Sequence, residues 1–346
     1  MNRTPPTTPP NTHPAPHAGT PGTAPTAAAS RGPARLRRAA RGRPAALAAL
    51  HLLAALLWLA PGAASAQSAP GRLRDLAGLG TLADGADDAT PAPPPAGVRA
   101  IRDLGYGPDP AQRLDVYLPT QPAAANAPVI FFVHGGGWRR GDKASARLLE
   151  PKVSHWVEQG WVVISANYRM LPTPVATQAE DVAAAIAFAQ SQAGLWNADP
   201  TRFVLMGHSA GAHLVALLAA GAPTAARPQP WRGAVFLDSA ALDVPAIMNA
   251  RHFGLYDRAF GADPAQWTAL SPYAALAGAA APMLAVCSSR RKDSCPQAER
   301  FVARANALGG HARVLAEDLS HMQINTTLGA PSDYTAQVDA FLASLR

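Results

Sequence analysis

From Val98 to the C-terminus, short apolar runs alternate with stretches of helical periodicity, and this alternation restricts the folds open to the chain. Residues 114–118, 129–133, 161–165, 202–206, 234–237, 283–286 and 313–316 read as strands. Several are solidly apolar, without the alternation of a half-exposed strand, as strands buried on both faces are. Residues 144–159, 176–192, 212–220, 297–308 and 334–345 read as helices, and Gly160 and Gly194 stop the first two. Strand and helix in turn imply an α/β fold, a mostly parallel central sheet with helices on both faces. The roughly 250 residues of 98–346 suit one domain. Between Asp238 and Pro272 a small insertion interrupts the pattern and is expected to lie over any site at that sheet edge. It carries Met248, His252, Phe253, Tyr256, Phe260 and Trp267.

The charge sits elsewhere. The net charge is +7, but residues 1–66 hold seven of the 30 basic residues and no acid. The remainder balances at 23 of each sign. A basic face for nucleic acid is therefore not expected. Residues 1–66 read as an N-terminal extension and export signal. Arg35, Arg37, Arg38, Arg41 and Arg43 precede an apolar run at 45–60, and Ala64-Ser65-Ala66 offers a small-residue cleavage site. The run is short of the ~20 residues of a membrane span, so no stable membrane partner is expected unless the signal stays uncleaved. Residues 67–97, rich in Ala and Pro, read as a disordered linker. An exported chain meets an oxidising compartment, and its two cysteines, Cys287 and Cys295, are expected to pair. No metal-ligand cluster is visible and no cofactor is expected.

Three motifs carry the chemistry. The strand at 202–206 runs through Gly207-His208-Ser209-Ala210-Gly211 into a helix. Such a turn presents Ser209 as a nucleophile at a helix N-terminus, where developing negative charge is favoured. The strand at 129–133 ends in His134-Gly135-Gly136-Gly137-Trp138. Amides of Gly135, Gly136 and Gly137, with that of Ala210, are the expected donors to an oxyanion. Past the later strands come Asp293 and His321. His321 is the expected general base and Asp293 the acid that orients it, with Asp318, Glu317 and Asp238 as rivals. Trp138, His208 and His252 are candidate substrate contacts.

These motifs, with Asn167-Tyr168-Arg169, Glu180-Asp181-Val182 and Asp199-Pro200-x-Arg202, resemble the α/β-hydrolase esterases of the hormone-sensitive-lipase, carboxylesterase and kynurenine-formamidase-like kind. The resemblance implies an α/β-hydrolase fold and an oxyanion hole from two of the three glycines with Ala210. It also implies bracing roles for Tyr168, Arg169 and Asp181. His208 stands where many hormone-sensitive-lipase-like members carry Glu, and no folded N-terminal cap is apparent. The resemblance thus tilts toward the smaller formamidase-like and feruloyl-esterase-like subgroup. The expected partner is a small-molecule ester, cleaved through an acyl-enzyme on Ser209. An arylformamidase-like amide hydrolase is the alternative, and a non-catalytic binding protein a remoter one. The sequence leaves the oligomeric state open.

Overall fold

In the computed structural model, which describes residues 93–121 and 125–345, the apolar runs form all but the first strand of one eight-stranded sheet. The strands are β1 (Val98–Gly105), β2 (Arg113–Pro119), β3 (Ala127–Val133), β4 (Val162–Ala166), β5 (Ala198–His208), β6 (Gly233–Leu237), β7 (Met283–Ser288) and β8 (Ala312–Glu317). Their order is β1-β2-β4-β3-β5-β6-β7-β8. β2 pairs antiparallel with β1 and with β4, and the pairs from β4 onward are parallel. The helices are α1 (Ala146–Glu158), α2 (Val175–Gln192), α3 (Ala210–Ala219), α4 (Val244–Met248), α5 (Gly254–Phe260), α6 (Pro264–Ala269), α7 (Pro272–Ala275), α8 (Ser294–Ala307), α9 (His321–Thr326) and α10 (Asp333–Ser344).

The solid apolar strands are explained by two cores. Val129, Phe131 and Val133 of β3 join Phe203 and Leu205 of β5 and Phe236 of β6 in one cluster, under α2, α3 and α8. Ile130, Phe132, Val204, Met206, Val235 and Leu237 alternate with them and pack on the other face against α1 and α10. A strand with helices on both faces has no polar side to display, so period-2 patterning vanishes. The parallel strands all finish at one edge, and the loops leaving that edge carry the candidate residues.

The insertion between β6 and β7 is built of α4 to α7. The disulfide expected from the sequence is present: Cys287, near the end of β7, is bonded to Cys295 in the first turn of α8 (S–S 2.05 Å). The export signal expected at 1–66 and most of the linker expected at 67–97 lie outside the described residues.

Candidate active site

β5 delivers Ser209 to a turn with φ 54° and ψ −116°, a left-handed φ that a non-glycine residue adopts only when its surroundings impose it. The surroundings do so. The Ser209 amide donates to Leu237 O at 2.9 Å, and Ser209 O accepts from the His213 amide at 3.0 Å. A Cβ on Gly207 would lie 2.5 Å from Gly211 O, and one on Gly211 only 2.2 Å from Val133 O. Both positions exclude any side chain, which lets the first turn of α3 sit directly on the end of β3. Ser209 occupies the N-cap position of α3, where backbone amides face the reacting centre.

The glycine loop crosses this turn closely. A Cβ on Gly135 would lie 2.9 Å from His208 O and 3.0 Å from the Ser209 Cβ. Gly136 (φ 112°) and Gly137 (φ 63°) take backbone shapes that side chains rarely adopt. The loop is braced from several sides. The Tyr168 hydroxyl donates to His134 O at 3.2 Å and its ring stacks on His134. Gln178 Nε2 donates to Trp138 O at 3.1 Å. Arg169 grips Asp181 through Nε (2.8 Å) and Nη2 (2.6 Å), and Gln112 Nε2 adds a third donor at 2.8 Å. Trp138 Nε1 donates to His213 Nδ1 at 3.3 Å, while His213 Nε2 donates to Leu270 O at 2.8 Å. This pair of bonds requires neutral His213, and burial holds its pKa down to about 4. His213 therefore ties the glycine loop, α3 and the insertion together.

The acid beside His321 is Asp238. His321 opens α9, behind a capping box of Ser320 and Gln323. Its Nδ1–H donates to Asp238 Oδ2 at 2.6 Å. Its ring lies 4.6 Å from that of His208, the residue preceding Ser209. Asp238 follows β6 directly, with φ 55°, and is fully buried. Its Oδ1 accepts from the Ser288 amide (2.7 Å) and from Ser294 Oγ, and its Oδ2 also accepts from Arg291 Nη1 (2.8 Å). Burial pushes this carboxyl upward, but the bond from His321 and the charge of Arg291 outweigh it and hold Asp238 well below the usual carboxylate range.

Asp293, the acid expected from the sequence, is not brought to the imidazole. It stands at the N-cap position of α8 with its side chain 44% exposed, 3.5 Å from Arg291 Nη2. The loop closed by Cys287 and Cys295 turns Ser288, Arg291 and Ser294 onto Asp238 and leaves Asp293 on its outer flank. Asp318 pairs with exposed Arg290 at 2.7 Å, and Glu317 ends β8. The sequence signal for Asp238 was its position, directly after a fully buried strand adjacent to β5.

The three candidate substrate contacts part company. Trp138 is buried, edge-on to Phe260 (5.0 Å) and near Tyr256 (6.0 Å) of the insertion. It thus forms a wall joining loop and insertion. His208 is buried and donates from Nε2 to His321 O at 3.0 Å, so its polar group holds the main chain at His321. Burial holds it well below the usual histidine range. His252 pairs with Asp257 at 2.9 Å and with Ala250 O at 2.7 Å, and its ring meets that of Tyr256 at 6.3 Å.

Comparison with known proteins finds esterases similar to this chain over part of its sequence and in its fold. Residues 114–241 match the sequence family described as BD-FAE. A probable isoprenylcysteine alpha-carbonyl methylesterase of Oryza sativa subsp. japonica is 36% identical over 119 residues, 34% of this chain and 28% of that protein. Esterase LipC of Mycobacterium tuberculosis is 39% identical over 121 residues, again 34% of this chain and 28% of that protein. The matched stretch thus spans under a third of these relatives' length. In structure, esterase B from Lactobacillus Rhamnosis superposes with a TM-score of 0.62 at 18% identity, over 79% of this chain and 90% of that one. Thermogutta terrifontis esterase 2 phosphonylated by sarin superposes with a TM-score of 0.60 at 22% identity, over 74% and 97%.

Proposed function

We propose that this chain, which has the α/β-hydrolase fold, is an exported serine carboxylesterase cleaving small uncharged esters through an acyl-enzyme on Ser209. The observation that carries the reading is the 2.6 Å bond from His321 Nδ1 to buried Asp238, with His321 packed on the residue before the strained Ser209. That bond fixes the tautomer, leaving Nε2 as the proton acceptor. In the first half-reaction Ser209 Oγ attacks the ester carbonyl and its proton passes to His321 Nε2. The imidazolium is balanced by the Asp238 carboxylate. The carbonyl oxygen becomes an oxyanion facing amides of the glycine loop and of Ala210. Collapse breaks the C–O bond, and His321 returns the proton to the departing alcohol. In the second half-reaction water, deprotonated by His321, releases the carboxylic acid from Ser209.

The relatives support the bond type: two of the matched proteins bear the names methylesterase and esterase. One structural neighbour is described as phosphonylated by sarin, a reagent class that traps nucleophilic serines. The leader at 1–66 supports export, as does the disulfide, which suits an oxidising compartment.

The acid assignment provides the test. With p-nitrophenyl acetate, Asp238→Asn should lower kcat by about 10³–10⁴, as loss of the tautomer-setting carboxylate does. Asp293→Asn should stay within about tenfold of the parent, because it touches the imidazole only through Arg291. The reverse ranking would return the acid role to Asp293.

A further inference from the structure

Asp238 is a buried carboxylate held by a covalent ring. The chain from Cys287 to Cys295, closed by the disulfide, supplies Asp238 with the Ser288 amide, Ser294 Oγ and Arg291 Nη1. Arg291 Nη1 reaches Asp238 Oδ2 at 2.8 Å and Asp238 O at 3.2 Å, and lies 3.0 Å from His321 Nδ1. Guanidinium and imidazole thus converge on one carboxylate oxygen. Arg291 is paired in turn with Asp293, Nη2 to Oδ1 at 3.5 Å. The same ring grips the base: Ser288 Oγ donates at 2.6 Å to Leu319 O, two residues before His321. Charges alternate along Asp293, Arg291, Asp238 and an imidazolium at position 321.

We propose that Arg291 is a positioning residue for the Asp238–His321 pair and that the Cys287–Cys295 disulfide keeps it in place, so that ester turnover depends on the thiol state of these cysteines. The proposal rests on the serine-esterase reading above and extends it. Asp238 is drawn by Arg291 into the one orientation that receives the imidazole N–H. An open ring lets the loop fluctuate, and the carboxylate loses two side-chain donors together. The redox step is a thiol–disulfide exchange. A dithiol reductant attacks through its thiolate at the sulfur of Cys295, the less buried of the two cysteines, the Cys295–Cys287 bond breaks, and Cys287 leaves as the thiolate and takes up a proton. The second thiol of the reductant then displaces Cys295, leaving two cysteine thiols and an oxidised, cyclic reductant.

The test uses the whole protein and three measurements. First, Arg291→Met should lower kcat for p-nitrophenyl acetate by about tenfold or more with KM within about twofold, because Arg291 acts on the base rather than on the ester. Arg291→Lys should recover part of the loss. Second, the acid limb of the kcat/KM profile of Arg291→Met should move to higher pH, since a cation beside the imidazole has gone. Third, dithiothreitol should lower kcat of the parent by a similar factor and reoxidation should restore it, while a Cys287→Ser/Cys295→Ser variant should be slow in both conditions. Full kcat in Arg291→Met, in the reduced protein, or in the serine double variant would overturn the proposal. So would a change confined to KM, or a loss that reoxidation fails to reverse. A failure of the underlying reading is separate: unreduced parent protein would then hydrolyse no ester and take up no fluorophosphonate probe.

Discussion

Lys152 is fully buried in α1, and its ammonium is bonded to two main-chain carbonyls, Leu148 O at 2.8 Å and Asn325 O. Burial pulls its pKa down to about 7. The unfolded chain holds this proton up to a pKa near ~10.4, so between about pH 7 and 10 the unfolded state binds more protons and stability rises with pH. Lys152→Met should therefore stabilise the fold by about 1–3 kcal/mol near pH 7, the lost bonds offsetting part of the gain. The advantage should shrink as the pH approaches 10. Urea unfolding at pH 6.5 and 9.5 checks this, and a variant less stable than the parent at both would refute it. The candidate site residues show what single positions reveal in a sequence. Ser209 and the glycines around it are legible because a strained turn tolerates few residue types. His321 is legible because it follows a strand at the edge where the nucleophile emerges. Asp238 and Asp293 both follow strands at that edge, and residue type does not separate them. What separates them is which groups the loop after β7 turns onto Asp238: the Cys287–Cys295 pairing is legible in the sequence, but the seating of Ser288, Arg291 and Ser294 on that carboxylate is a tertiary arrangement.

Among the elements, the junction of β3 with α3 tolerates little change. A methyl group at Gly211 would approach Val133 O to 2.2 Å and His134 O to 2.4 Å. Both atoms are main chain at the root of the glycine loop, so relief must come from moving that loop. Gly211→Ala should cost about 1–3 kcal/mol by overpacking. It should also lower kcat through the displaced amides. Thermal unfolding together with kcat checks the pair, and an unchanged kcat would show that the loop is independent of the junction. The inner strands were legible because both their faces are covered. β1 was not legible as a strand: its burial shows no regular alternation, with three half-buried residues in succession at 100–102, and its register slips between Ile101 and Leu104, where Asp103 adopts φ 58°. The insertion was legible as an aromatic-bearing interruption but not as four helices. These have only 4–7 residues each, and α6 buries none of its side chains. Helices that short follow from packing and capping rather than from periodicity.

At the scale of the molecule, the site draws on loops after β3, β5, β6, β7 and β8, all leaving one edge of the sheet. A parallel sheet brings these loops together whatever their separation in sequence, which is how Asp238 and His321 meet across 83 positions. The two cores make that edge rigid, and His213 fastens the insertion to it through Leu270. Composition at this scale spoke to partners more than to chemistry. With the basic excess confined to 1–66, the remainder is electrically balanced, as suits a small uncharged ester better than a polyanion. The whole account turns on one atom, Ser209 Oγ. Intact-mass analysis of the purified protein after treatment with a fluorophosphonate should give a single adduct, mapped to Ser209, with loss of p-nitrophenyl acetate turnover. Ser209→Ala should take up no probe and hydrolyse no ester above background. A Ser209→Ala protein that still labels and still turns over the ester would contradict the account.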